Sequence, residues 1–203
     1  MRNVALTQKY IGTYYEETGD LQRAIEHHRR AYELDDKRFQ RTPNDRVVQL
    51  DLAIDVSSIG NIQMRRAQYD QAIDAFKRSL EIRERLAGAD PKDVHAQGRV
   101  AFLHTKLATL HVWNHRWPVA REHAKRAVTL TEPLATISTA NRTDHLDALK
   151  TLADLEWHAG RQQEACAVYA RAQGVLRAGD RVAPSDEKNK SGVDRAAADC
   201  LRR

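Results

Sequence analysis

The chain has 203 residues, of which 41% are hydrophobic and 30% charged, with nine glycines and five prolines. That mixture suits a folded helical protein and not a disordered tail, and no apolar run reaches the roughly 18 residues that a spanning helix needs. The net charge of +5 comes from 33 basic and 28 acidic side chains. They are interleaved along the chain, which argues against nucleic-acid binding, where basic groups gather on one face.

Met1 to Gln8 lacks the apolar core and small-residue cleavage site of a secretion signal, so a cytoplasmic address is expected. Cys166 and Cys200 have no metal-ligand spacing, and both read as reduced thiols.

Along the chain, one pattern returns. Gly19-Asp20-Leu21-Gln22-Arg23-Ala24-Ile25 aligns with Ala67-Gln68-Tyr69-Asp70-Gln71-Ala72-Ile73, with His115-Arg116-Trp117-Pro118-Val119-Ala120-Arg121 and with Gly160-Arg161-Gln162-Gln163-Glu164-Ala165-Cys166. The alanines Ala24, Ala72 and Ala120 are 48 residues apart, and Ala165 follows after 45. A fixed period of this size marks stacked supersecondary units. Twelve residues before each alanine stands a small residue, Gly12, Gly60, Ala108 or Ala153, each behind an aliphatic one. Seven residues after come Ala31, Ser79, Ala127 and Ala172, and four after come His28, Phe76, Ala124 and Tyr169. Small side chains at these places let two helices approach closely, so the chain reads as a two-helix hairpin repeated four times.

Thr42-Pro43-Asn44-Asp45 and Asp90-Pro91-Lys92-Asp93, again 48 apart, each offer a capping residue, a proline and an acid. Asn141-Arg142-Thr143-Asp144 plays the same part, so long first helices are predicted to start near 43, 91 and 142. After the polar stretch that runs through Lys190, Val193, Ala196, Ala197, Cys200 and Leu201 recur at helical spacing. A last helix there would cap the exposed end of the stack.

These residues resemble the tetratricopeptide family, whose pattern is an aliphatic-glycine pair, an aromatic, an alanine, a second aromatic and another small residue. Ile11, Gly12, Tyr15, Ala24 and Ala31 carry it in the first repeat; Ile59, Gly60, Ala72, Phe76 and Ser79 carry it in the second, with Gln63 in place of the first aromatic. The resemblance implies an all-α right-handed α-α superhelix, a solenoid of four long repeats (about 3–40, 43–88, 91–138 and 141–178) over residues 1–178. Residues 179–203 would be a polar linker and capping helix. Glu84-Arg85-Leu86-Ala87-Gly88-Ala89-Asp90-Pro91, the long period and the Ala196/Cys200 spacing are similar to the tetratricopeptide regions of bacterial serine/threonine kinases. No kinase motif is present.

His104, His111 and His115 are spaced seven and four, which on one helix places them near a single face. Two imidazoles at i, i+4 can bind zinc, but Val112 stands where a metalloprotease helix has glutamate, and His111 and His115 occupy repeat slots. Structural or solvated histidines are therefore the expectation, with a metal-dependent enzyme as the remote alternative. His27 is expected at the surface and His28 half-buried. No base partners a nucleophile, and there is no phosphate loop. No enzyme activity, cofactor or metal is expected.

Trp117 shares a slot with Leu21 and Tyr69 and reads as core, whereas Trp113 and Trp157 end first helices. In the family, first helices line the concave face. By that analogy the inward positions are Lys9, Thr13 and Glu17; Ser57, Asn61 and Arg65; Thr105, Thr109 and Trp113; and Lys150, Asp154 and His158. Lys9 and Lys106 match a known clamp for carboxylate tails, but Thr13, Ser58 and Phe102 depart from it, so no chaperone-tail receptor is predicted. The expected function is a scaffold or docking module for a protein or peptide, without nucleic acid or membrane. It would be a monomer or weak homo-dimer, self-association being the alternative role.

Overall fold

The computed structural model describes residues 1–177 and 184–201, and the side chains of 1–177 and 191–200. The polar stretch expected from 179 lies outside the described residues as far as 183; from Pro184 the chain is already helical. The described residues are all-α, in the order α1 (Arg2–Thr18), α2 (Leu21–Arg41), α3 (Arg46–Arg65), α4 (Tyr69–Ala89), α5 (Val94–Trp113), α6 (Trp117–Thr131), a 3-10 turn (Glu132–Leu134), α7 (Thr139–His158), α8 (Gln162–Arg177) and α9 (Pro184–Leu201). None of these helices is long and apolar enough to cross a membrane. The chain divides into two compact units, Met1–Asp90 and Pro91–Arg203.

Each unit is built from hairpins whose contacts follow the repeat. Ala24, Ala72, Ala120 and Ala165 are all fully buried, as are Ala31, Ser79, Ala127 and Ala172. The close approach is tightest in the first repeat. A Cβ on Gly12 would stand 2.7 Å from the His28 ring, and one on Gly60 would stand 3.2 Å from Ala75 and 3.3 Å from Phe76. Repeat four has Ala153 at this slot, buried in one cluster with Ala165 and Tyr169.

Every hairpin turns through a left-handed residue five positions before the packing alanine: Gly19 (φ 86°), Ala67 (φ 57°), His115 (φ 56°) and Gly160 (φ 77°). Glycine accepts that conformation freely; alanine and histidine hold it at a cost. The first-helix starts also share one register, three residues from where sequence placed them. Asp45 accepts from the Val47 and Val48 amides, Asp93 from that of Ala96, and Ser138 from that of Asn141. In the two proline loops the acid is the cap, and the proline lies outside the helix. There Gln49 and Gln97 donate to the carbonyls of Pro43 and Pro91.

In the second unit α9 runs antiparallel to α8, burying Val193 and Ala197. Gln173 donates to Asp194, and at the other end Cys166 is disulfide-bonded to Cys200. This corrects the reading of both cysteines as reduced thiols. Neighbouring sequence could not reveal the pair, because only the packing of α9 brings residues 34 apart within a Cα separation of 5.7 Å.

Candidate functional site: the first-helix faces

The sequence-derived positions divide by what already holds them. In the first unit Lys9 is no open groove side chain. Its Nζ lies 2.8 Å from Asp35 Oδ2 and 3.1 Å from Asp55 Oδ1, and it donates to the Asp51 carbonyl at 3.1 Å. Arg38 bridges Asp35 and Asp51, and Arg2 reaches Asp51. All three carboxylates are buried. Burial pushes the Asp55 carboxyl up to about 8, with the Asp35 charge adding to the rise and Lys9 opposing it. Burial raises Asp35 too, but hydrogen bonds from Lys9 and Arg38 outweigh it and hold Asp35 below the usual range. Three helices are thus tied by a closed set of ions, one carboxyl of which keeps its proton at neutral pH.

Ser57 also faces inward. Its Oγ is 2.7 Å from Ser79 Oγ, which donates to the Ala53 carbonyl. Thr13 is exposed, although its hydroxyl donates to the Lys9 carbonyl. Glu17 and Arg65 are exposed and Asn61 half-buried. Arg65 donates to the Glu16 carbonyl, bracing the ends of α3 and α1.

In the second unit the hydroxyls of Thr105 and Thr109 return to carbonyls one turn earlier on α5. Lys150 pairs with Asp154 at 2.5 Å, and Asp154 also accepts from the Tyr169 hydroxyl at 2.5 Å. Burial and that carboxylate raise the Tyr169 pKa. Trp113 (44% exposed) and His158 remain at the surface. Trp157 packs against the cluster of Ala153, Ala165, Tyr169 and Ala197, so it is a packing residue; Trp117 packs on the core as expected. Lys106 lies over the Phe102 ring, 5.1 Å from its centroid, and burial lowers its pKa against the pull of Asp147.

The histidines assemble differently from the spacing in sequence. His115 sits in the α5–α6 turn, and the ring that joins His104 and His111 is His123 of α6. His104 Nδ1 is 2.8 Å from His123 Nδ1, and His111 stacks on His123 with centroids 5.5 Å apart. Burial pushes His104 down to about 4, helped by His123 and Arg126, so this ring is neutral at physiological pH. Among the described residues no group of three or more His, Cys, Asp or Glu side chains is placed to hold a metal ion. His28 is fully buried, 2.7 Å from Glu16 Oε1, and His27 half-buried.

Sequence reasoning missed two constellations. One is the carboxylate cluster, whose signal was Asp51 and Asp55 one turn apart on an otherwise apolar face of α3. The other is Glu156, buried between Arg121 (2.6 Å) and Arg161. Burial opposes its ionisation, but the two guanidiniums prevail and lower its pKa.

Residues 56–90 match the tetratricopeptide repeat model, and they run from the middle of α3 to the end of α4. That segment carries a tetratricopeptide repeat. Solved structures extend the likeness of fold over the whole chain. The apo form of RapI superposes with a TM-score of 0.71 over 98% of this chain and 70% of its own, at 11% identity. A variant of the TPR-like repeats of a Podosopora anserina putative kinesin light chain gives 0.71 over 100% and 94%, at 16% identity. BtubC (BKLC) from P. vanneervenii gives 0.68 over 95% and 74%, at 17% identity. No curated protein sequence matches the chain. All three solved structures are helical-repeat neighbours, and at these identities they speak for fold alone.

Proposed function

We propose that this tetratricopeptide-repeat chain is a non-catalytic docking module that holds an extended segment of a partner protein against its first helices. One observation carries the reading: each first helix ends on an exposed side chain at the same repeat slot, Glu17, Arg65, Trp113 and His158. Around them the internal bonds of Lys9, Ser57, Lys150 and Asp154 hold the surface in one conformation, which lowers the entropy lost on binding. Exposed aromatic side chains such as Trp113 are the usual dominant contacts in interfaces.

The test is a peptide-display selection on the intact chain, with the enriched peptide re-measured on variants. Trp113→Ala should weaken capture by tenfold or more and Asn61→Ala by less, both without loss of fold. Lys77→Ala and Lys125→Ala, on exposed second-helix faces, should leave it unchanged. Weakening by the last pair alone would place the docking face elsewhere.

A second reading, self-association, has support on α1 and not on the last helix, where it was expected. Val193 and Ala197 are covered within the unit, whereas Val4 and Tyr14 of α1 are 54% and 61% exposed. Their slots are buried as Leu52 and Ile62 in the next repeat. If a second copy covers α1, Tyr14→Lys converts a dimer to a monomer by light scattering; a monomeric wild type removes the idea.

The kinase connection rests on the resemblance of residues 84–91 and of Ala196 and Cys200; a kinase domain encoded with the chain would support it. A cytoplasmic address and a lasting Cys166–Cys200 bridge pull in opposite directions, because cytosolic thiols are kept reduced. The redox state of the pair in cells decides between them.

A further inference from the structure

In three of the four repeats, the residue after the packing alanine joins the second helix to the helix that follows. In the first repeat it is Ile25, which shares a buried cluster with Ile62 of α3. In the third it is Arg121, 2.6 Å from Glu156 of α7. In the fourth it is Cys166, bonded to Cys200 of α9. One slot thus carries an apolar contact, an ion pair and a covalent bridge. Of the three, only the bridge is made and broken by electron transfer.

The rest of the contact between α9 and the last repeat is made by small side chains. Among residues 191–200, Val193 and Ala197 are buried, and Ala196 and Cys200 pack beside Ala197 half-covered. The hydrogen bond from Gln173 to Asp194 is exposed. On α3, by contrast, Leu52 is buried in a cluster with Tyr32 and Phe39 of α2. Alanines remove little apolar area from water, and Gly192 inside α9 weakens the helix itself. The chain joins α8 to α9 at one end, so the bridge near the start of α8 closes the other. Neither cysteine is fully buried.

We propose that the Cys166–Cys200 pair is a redox switch that holds α9 as a removable cap on the last repeat. A reductant thiolate attacks one sulfur of the bridge and the other leaves as thiolate. A second reductant thiol resolves the mixed disulfide, so two electrons and two protons end on Cys166 and Cys200 and the reductant is left as its disulfide. Glutathione disulfide reverses the exchange. Reduced, α9 keeps only Val193 and its alanines, and it swings away on its chain connection. That uncovers the apolar end of the stack at Ala153, Trp157, Ala165 and Tyr169. It also uncovers α7 beside Lys150, whose Cε lies 3.5 Å from where a Cβ on Gly192 would stand. The switch does not depend on the docking role of the first helices.

The experiment compares the intact chain in glutathione disulfide with the same chain in a large excess of reduced glutathione, counting free thiols in each. Hydrogen exchange at the amides of 191–200 should be at least tenfold faster in the reduced chain, with α5 and α6 unchanged. The Trp157 indole N–H resonance should move with the same midpoint as the thiol count. Cys166→Ser with Cys200→Ser should exchange fast in both mixtures. A pair that excess glutathione leaves bridged is a structural disulfide and would overturn the proposal. So would slow exchange in α9 when both thiols are free, a reading that stands even if the serine variant does not fold.

Discussion

The two compact units use the same hairpin and fill its interior by opposite means. In the first, Asp55 occupies the α3 slot that Leu103 holds in α5 and Ala148 in α7, and all three are buried. Asp35 of α2 stands where α6 has Thr131, whose hydroxyl meets buried His145 at 2.8 Å. The first unit therefore ties α1, α2 and α3 with lysine, arginine and three carboxylates. The second relies on leucine and alanine, the Arg121–Glu156–Arg161 bridge and the disulfide. What the repeat conserves is backbone spacing; the chemistry between the helices is free to change as long as small residues keep the contacts close.

That contrast can be broken most forcefully at Lys9. Lys9→Met strands Asp35 and Asp55 in the interior, and removing one partner of a buried ion set costs about 3–5 kcal/mol. The urea midpoint should fall by that amount, and hydrogen exchange should accelerate in α1 to α3 and not in α5 to α8. Cys200→Ser should do the reverse. Opening a 34-residue link costs about 2–4 kcal/mol in the chain-entropy account, with faster exchange in α8 and α9 and none gained in the first unit.

The carboxylates also give the first unit a pH signature. Asp55 has a folded pKa of about 8 against an unfolded value near 3.8, so the folded state binds the extra proton between those limits. Stability from this group is therefore complete below pH 4 and declines as pH rises towards 8. Relative to Asp55→Asn, the wild type should lose stability between pH 5 and pH 8 and stay level above it, as followed by denaturation midpoints. A flat difference would place the proton elsewhere in the cluster.

The smallest effect is at the turns. Ala67→Gly and His115→Gly should each raise stability by up to about 1 kcal/mol, since both residues hold a left-handed backbone that glycine adopts without strain.

How far sequence could reach is visible in particular residues. Ala24, Ala72, Ala120 and Ala165 were legible because a slot allowing no side-chain growth must repeat wherever the packing repeats. The caps were legible in kind but displaced by three residues: Thr42-Pro43 and Asp90-Pro91 look like helix starts locally, and only the hydrogen bonds select Asp45 and Asp93. Lys9 could not be placed, because its partners come from α2 and α3 and helical register alone does not separate a groove lysine from an ion-paired one. The histidine cluster was two-thirds legible, since His104 and His111 share a face of α5, while His123 arrives from α6. Cys166 and Cys200 were opaque for the same reason: their meeting depends on where α9 docks. Exposure of Glu17, Arg65, Trp113 and His158 followed from the family analogy and awaits a bound partner.

The most direct measurement is NMR shift mapping of the intact chain with a display-selected peptide. The account predicts perturbations centred on Asn61 and Arg65 in the first unit and on Thr109, Trp113 and His158 in the second. Perturbations confined to second-helix residues such as Lys77 and Lys125, or none at saturating peptide, would contradict it.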